Sequence, residues 1–304
     1  MSTINRSVIP NLLVEGIKQN FGIGYDMYDK NFLKIFDLET SQKEVEQYQE
    51  IKSFGNHAEK PEGANSAFQT IAQSTKTYIE NKTYSLIYEV SHEAQEDNQY
   101  PKVLKEALEL GTSAGCTMET IAMNRLNTAF STAAADVLAS GVALCSASHP
   151  VAAGGTFSNL AATPAALSET ALIAGMTSIG KFVDPAGNKI NVKGDLLVVP
   201  VDSDVQAQKL LFSTLTVGSN NNDLNPFGRS YGRLPKGYVS SSYLQDTNAF
   251  FIRTNVKGLV FQEREKPRMM EDFKIDRLTN QVTSFFRCGV GAYDPRSIFG
   301  NAGA

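Results

Sequence analysis

Two long strand-like runs between about Phe32 and His92 constrain this chain most, because neither presents a continuous apolar face. The first contains Lys43-Glu44-Val45-Glu46-Gln47-Tyr48-Gln49-Glu50-Ile51. The second contains Gln73-Ser74-Thr75-Lys76-Thr77-Tyr78-Ile79-Glu80-Asn81-Lys82-Thr83-Tyr84. Thr, Tyr, Val and Ile favour extended backbone. Between the runs lies a tip of turn formers, Gly55-Asn56-His57-Ala58-Glu59-Lys60-Pro61-Glu62-Gly63. A hairpin packed inside its own domain shows one clean apolar face. Here the alternation becomes clean only towards the end, where Tyr84, Leu86, Tyr88 and Val90 share a face. An isolated two-stranded ribbon of this length is marginal in water. The expected structure is therefore a ribbon that projects from the body, wet on both sides until a neighbouring molecule covers it. A plain solvent-exposed hairpin is the alternative.

The stretch before it, to about Lys30, carries Gly16, Gly22 and Gly24 and reads as an extended arm or a short helix followed by a loop. After the ribbon comes the longest helical pattern. Pro101 suits a first helical turn. Val103/Leu104, Ala107/Leu108, Gly111, Ala114, Met118, Ile121/Ala122 and Ala129/Phe130 then recur at three-to-four spacing, predicting a helix of about 30 residues and about 45 Å. Gly111, Ala114 and Gly115 thin one face, so another element can pack close there. From Ser131 to about Leu160 the chain is rich in Ala, Ser and Gly, and reads as a helix end followed by a loop.

Beyond Leu160 the pattern is compact α/β. Ser168 is placed to cap a helix through Ile173, Met176 and Ile179, with Leu167 and Leu172 positioned as a hydrophobic staple. Asp184-Pro185-Ala186-Gly187 makes a turn. Leu196 to Val199 is a short apolar run, as in a strand buried on both faces. Asp202 or Ser203 caps a helix holding Val205, Ala207, Leu210 and Leu211, and Gly218 to Asp223 is a loop. Strands are expected at Tyr238 to Tyr243 and Ala249 to Thr254, and further β-structure from Leu259 to Val290. The run Glu263-Arg264-Glu265-Lys266-Pro267-Arg268 is expected at a solvated strand edge.

Composition narrows the function classes. The 304 residues are 42% apolar and 20% charged, with a formal net charge of -4 and no run of Lys or Arg, which argues against gripping nucleic acid as the main task. No apolar stretch approaches the roughly 18 residues that span a bilayer, and the first residues lack the apolar core of a signal peptide. Cys116, Cys145 and Cys288 are too scattered for a disulfide framework and read as reduced, buried thiols. His57, His92 and His149 are equally scattered, so no metal-ligand spacing is present. Cys145 and His149, four apart beside a Gly-rich loop, are the one nucleophile–base pair to weigh; the competing reading is a loop with a hydrogen-bonded His. Gly22-Ile23-Gly24 and Gly289-Val290-Gly291 complete neither G-x-G-x-x-G nor a P-loop, and read as tight turns or close backbone approach. No catalytic, cofactor-binding or metal-binding residue is assigned.

An ordered string of motifs carries a resemblance. It runs Leu144-Cys145-Ser146-Ala147-Ser148-His149-Pro150, Gly154-Gly155-Thr156-Phe157-Ser158-Asn159-Leu160, Leu167-Ser168-Glu169-Thr170-Ala171-Leu172, the Asp184 turn, Leu196-Leu197-Val198-Val199-Pro200 and Arg287-Cys288-Gly289-Val290-Gly291. The order resembles the major capsid protein of tailed bacteriophages, in particular the Mu-like major head subunit. The resemblance implies an α+β Hong Kong 97-type capsid fold. It divides the chain into an N-terminal arm (1–31), an extended hairpin loop (32–92), a peripheral domain with a long spine helix (93–140 and 255–304) and an axial domain (141–254). It implies a structural protein without catalysis or cofactor. Such a subunit self-assembles as hexamers and pentamers into an icosahedral head around double-stranded DNA. It makes no sequence-specific DNA contact and has no membrane. It becomes part of the virion after assembly in the host bacterial cytoplasm, with a portal and possible decoration protein. Because the hairpin follows Met1 by about thirty residues, scaffolding is expected from a separate protein. Lys60, Lys76 and Lys82 lie in the hairpin, but nothing marks one as activated and no crosslink is expected. Competing readings are an encapsulin-type nanocompartment shell and, from a different class, a Cys145-dependent α+β hydrolase.

Overall fold

A computed structural model describes residues 9–52, 54–57, 59–63, 65–66, 68–69, 72–91, 100–213, 215, 225–227 and 233–304. His92 and the loop expected at Gly218 to Asp223 lie outside them.

The long helical pattern forms α3, Tyr100–Asn127, close to the expected length. Its thinned face is used, and by an element the sequence did not show as a long helix. The first stretch is a 19-residue helix, α1 (Ile9–Met27), rather than an extended arm or short helix. Glycine propensity argues against that helix, but tertiary packing overrides it. A Cβ on Gly24 would lie 2.1 Å from the Leu108 carbonyl oxygen, and one on Gly111 would lie 2.2 Å from that of Phe21. These glycines let the two backbones touch. Ile17 and Phe21 of α1 then pack with Val103, Ala107 and Leu110 of α3. A one-turn helix, α2 (Phe32–Ile35), leads into β1 (Asp37–Thr40).

The ribbon is β2 (Val45–Lys52) paired antiparallel with β3 (Ala72–Glu80). After Asn81 the chain continues as β4 (Lys82–Ser91), which leaves the ribbon and joins a four-stranded sheet, β1-β10-β11-β4. There β10 (Leu259–Lys274) and β11 (Thr279–Ala292) form a long hairpin. Val282 and Val90 turn one face of this sheet towards α1 and α3. Beyond Glu263, β10 has no partner on its β1 side among the described residues, so the charged run does lie along a strand edge there. Leu86 and Ile87 on the opposite edge strand, β4, are both exposed, so the expected apolar face there is only partly covered.

The two-residue strands β5 (His149–Pro150) and β6 (Thr156–Phe157) pair within the Ala/Ser/Gly-rich stretch. The second large sheet has the order β12-β9-β7-β8, with β7 at Gly194–Pro200, β8 at Tyr238–Ser241, β9 at Phe250–Thr254 and β12 at Ile298–Asn301. Its last strand comes from the end of the chain. One face, with Leu197, Val199, Phe250, Ile252 and Phe299, packs on α4 (Glu169–Ile179) and α5 (Asp204–Phe212). The other, with Leu196, Val198, Phe251 and Ile298, packs on the second half of α3. Covering on both faces is why β7 reads as a continuous apolar run. Ser168 caps α4 as expected, accepting from the Ala171 amide at 3.2 Å, with Leu167 and Leu172 buried beside it. Ser203 is at the N-cap of α5, but its hydroxyl donates to the Thr247 carbonyl at 3.5 Å and accepts from no amide of the helix.

Candidate assembly interface

The ribbon is not wet on both sides. Its inner face carries Glu46, Tyr48, Glu50, Thr77 and Ile79, and this face lies on the chain's own body. Polar and aromatic contacts help to fasten it, beside the buried Ile79 and a bond from Asn188 Nδ2 to the Phe54 carbonyl at 3.2 Å. The Tyr48 ring stacks on Tyr293, with centroids 4.6 Å apart and planes 3° from parallel. The Tyr48 hydroxyl donates to Glu39 Oε2 at 2.6 Å and accepts from Gln262 Nε2 at 2.8 Å. Glu50 Oε1 accepts from Arg296 Nη1 at 2.9 Å. Around Glu50, Thr77, Tyr293 and Arg296 the gap left between ribbon and body measures only ≈ 30 Å³, while beside Thr77 to Glu80 a cavity of ≈ 380 Å³ opens towards Arg125, Asp136 and Cys288. The ribbon's polarity is thus partly explained by what it covers. Arg296 is 2% exposed and Gln262 fully buried, and buried polar groups need polar partners.

Arg296 anchors this seat. Besides Glu50 it binds Asp294 Oδ1 at 3.0 Å and donates from Nε to the Val183 carbonyl. Its guanidinium lies 4.9 Å from the centre of the Phe157 ring. Burial pushes the Asp294 carboxyl above its ordinary range, and Arg296 pulls it back. Glu50 and Arg296 are 246 positions apart, and no local pattern marks either one.

Where the ribbon leaves the body, the side chain of Asn81 closes the elbow. Its Nδ2 donates to Ser41 Oγ at 2.7 Å and to the Lys43 carbonyl at 2.9 Å, while Ser41 Oγ donates to Glu46 Oε1 at 2.9 Å. This bond holds the Glu46 carboxyl below the usual range. The outer face is different. Val45 (41% exposed), Ile51 (54%) and Tyr78 (61%) stand in solvent, as do Phe54 (56%) and Phe68 (100%) at the tip. Together these five exposed apolar side chains give the ribbon's outer side a surface that another molecule can cover.

The Cys145 and His149 pair is not arranged for catalysis. Cys145 is buried in the core, its thiol pushed well up by desolvation, and so is held as a thiol rather than the reactive thiolate. His149 Nε2 bonds Asn159 Oδ1 at 2.9 Å, and burial lowers its pKa. Asn159, fully buried in the Gly154 to Leu160 motif, also accepts from the Ser146 amide at 2.8 Å and donates to the carbonyls of Leu144, Pro295 and Ile298. It clamps the 144–149 loop to the 295–298 segment, so the two motifs are joined by structure rather than chemistry. Among the described residues no group of three His, Cys, Asp or Glu side chains is arranged to hold a metal ion. No helix among them is long and apolar enough to cross a membrane.

One further buried group was not legible beforehand. Glu119 of α3 is 1% exposed and accepts from the Phe32 amide at 3.1 Å, capping α2 from outside. Among the described residues its other oxygen has no hydrogen-bond partner, and burial pushes its pKa up to about 7.

Comparison with known proteins agrees with this architecture. No curated protein matches the sequence. Solved structures match the fold at low identity. The virus-like particle from Pyrococcus furiosus aligns with a TM-score of 0.59 at 11% identity, over 94% of this chain and 98% of that one. Mycobacterium phage Che8 gives 0.56 at 13%, over 91% and 93%. The procapsid of bacteriophage JBD30 gives 0.52 at 16%, over 98% and 75%. These likenesses establish the fold as that of Hong Kong 97-type capsids; they single out no Mu-like subgroup. A family model described as phage capsid protein matches residues 74–301, about three quarters of the sequence, and this chain therefore belongs to the phage capsid protein family.

Proposed function

We propose that copies of this chain tile the icosahedral head of a tailed phage, as hexamers and pentamers closing around double-stranded DNA, and that the subunit does no catalysis. The observation that carries this reading is the two-faced ribbon: its inner side is seated on the body, and its outer side and tip offer Val45, Ile51, Tyr78, Phe54 and Phe68. A plate with such an excursion is incomplete alone. In this reading residues 1–31 are the arm, 32–92 the ribbon with its elbow, 93–140 and 255–304 the peripheral unit, and 141–254 the axial unit, with β12 completing the axial sheet. Scaffolding comes from a separate protein, and a portal and a decoration protein complete the particle in the host cytoplasm. The weak negative charge suits a wall that does not hold its DNA fast.

The test replaces residues 53–71 by a two-residue Asn-Gly turn. The seat on Tyr293 and Arg296 is untouched, so the subunit is expected to fold with an unchanged thermal melt. Closed particles are expected to disappear in negative-stain microscopy, with or without scaffold. Closed particles of normal size from the shortened chain would show the tip to be a surface excursion and remove the main support for this reading.

A further inference from the structure

We infer that the β12-β9-β7-β8 sheet docks head to tail on a second copy of this chain, the carboxylates at one end meeting the amines at the other. This rests on the shell reading and names the surfaces it uses.

The sheet is electrically two-ended. β7, β8 and β12 run parallel and β9 antiparallel. The turns after β7, β8 and β12 and before β9 therefore gather at one end. Residues 161–165 are tied there, through the Ala161 amide to the Gly300 carbonyl at 2.9 Å and the Ala165 amide to Asn301 Oδ1 at 3.1 Å. The segments 161–170, 200–206, 241–250 and 301–304 hold Glu169, Asp202, Asp204 and Asp246 and not a single Lys or Arg. At the opposite end Lys181, Lys189, Lys193 and Lys257 are exposed. Among the described residues no carboxylate lies within ion-pair distance of these four. The acids nearest in sequence are engaged elsewhere. Asp195 pairs with Lys236 at 2.6 Å, and Asp184 accepts from the Asn188 amide at 2.7 Å and from its Nδ2 at 3.0 Å.

Part of this polarity follows from the fold. α4 and α5 both start at the acidic end, where their dipoles favour Glu169 and Asp204. The dipoles do not account for Asp246, Lys189, Lys193 or Lys257, which lie outside both helices. Nor do they account for Val201 and Val205, which are 54% and 59% exposed beside Asp202 and Asp204. Apolar side chains within a charged rim have the anatomy of an interface. Like ends repel, so two copies cannot pair symmetrically through either end. Opposite ends attract, and such a head-to-tail contact closes into rings when the rotation permits. Charge complementarity of this kind selects partner and orientation.

The experiment reverses each end separately on exposed side chains: Asp202→Lys with Thr247→Lys, and Lys189→Glu with Lys257→Glu. Thermal melts check folding. Sedimentation velocity at low salt should show either pair raising the concentration needed for association about tenfold or more. The four changes together, or an equal mixture of the two double variants, should restore it, and the differences should shrink at high salt. Carbodiimide crosslinking of the natural chain should join Lys189, Lys193 or Lys257 to Asp202, Asp204 or Asp246 of another copy. Unchanged association, or no rescue by the combined variant, overturns the proposal. So does loss of bound DNA without loss of self-association in the Lys189/Lys257 variant, since the basic end would then be a nucleic-acid surface. The shell reading fails separately. Closed particles without these crosslinks sink the head-to-tail contact alone; crosslinked open oligomers that never close sink the shell alone.

Discussion

The β12-β9-β7-β8 sheet and the β2–β3 ribbon are both extended chain, yet they are held by different means. The sheet lies between two apolar layers, α3 on one face and α4 with α5 on the other. Burial of area stabilises it, at on the order of 2 kcal/mol for each fully buried large side chain. The ribbon is fixed at a few polar and aromatic points, Tyr48 on Tyr293, Glu50 on Arg296 and Asn81 at the elbow. Area is non-directional and tolerates small movements. A buried ion pair requires geometry, so it sets direction more than it adds stability. One region makes the subunit a rigid plate; the other aims an arm.

The largest effect should follow from opening a hole in the plate. Phe250 is fully buried among the residues facing α4 and α5. Phe250→Ala should lower the unfolding free energy by about 4 kcal/mol, measured by chemical denaturation. Subunits should be lost before any shell defect can appear. A loss below about 1 kcal/mol would mean that area does not dominate there.

This contrast also explains what the sequence disclosed. Periodicity reports which face of an element meets an apolar layer, so α3, the Ser168-capped helix and the Leu196 to Val199 strand were legible, and the motif order carried the family. Periodicity is silent about polar seats. Glu50 and Tyr48 look like solvent-facing residues because nothing local marks Arg296, Gln262 or Tyr293 as their partners. The same blindness affected α1, whose glycines weaken the local helical signal and are explained only by the backbone of α3 across the interface. Of the chemical candidates, His149 sits in its loop as a hydrogen-bonded core residue, while the role of Asn159 needed carbonyls 136 to 139 positions away.

The next effect tests the seat itself. Arg296→Met keeps the bulk of the side chain and removes the charge, leaving Asp294 and Glu50 facing each other in a buried site. Removing one partner of a buried pair costs about 3 kcal/mol or more. Restoring the site's original net charge with Glu50→Gln in the same chain should recover part of it, which a double-mutant cycle reads directly. Additive losses would mean that the two side chains do not act together and that the ribbon is seated by Tyr48 alone.

The comparison also predicts where pH acts. The residues that join the sheet to α4 and α5 are apolar, so that contact should be indifferent to pH. The joint between α3 and α2 is not, because Glu119 is buried there with its pKa pushed up to about 7. An unfolded Glu releases its proton near pH 4.3. Between these values the native state holds a proton that the unfolded chain has lost. This contribution is fully present below the window and declines as pH rises through it, by on the order of 3 kcal/mol. Denaturation curves at pH 5 and pH 8 should differ accordingly, and Glu119→Gln should flatten the difference and be the more stable form at pH 8. An unchanged slope in the variant would place the titration elsewhere.

The smallest change in stability should carry the most information about aim. Glu50→Gln leaves an oxygen for Arg296, and Arg296 keeps Asp294, so the melt should fall by about 1 kcal/mol or less. The ion pair that fixes the ribbon's direction is nevertheless gone, and a weaker bond from the guanidinium to a neutral amide oxygen replaces it. Amide exchange should quicken along Tyr48 to Glu50 and Thr75 to Ile79 while α3 and β7 keep their protection, because local opening of the ribbon is separate from global unfolding. Tyr48→Phe, which keeps the ring on Tyr293 and loses the bonds to Glu39 and Gln262, should act in the same way and add to it. If aim is what the seat provides, shells of the double variant should vary in size although each subunit is nearly as stable as before. Uniform particles from such a variant, with exchange at the ribbon measurably faster, would show that neighbours in the shell impose the ribbon's direction and that the seat matters only to the free subunit.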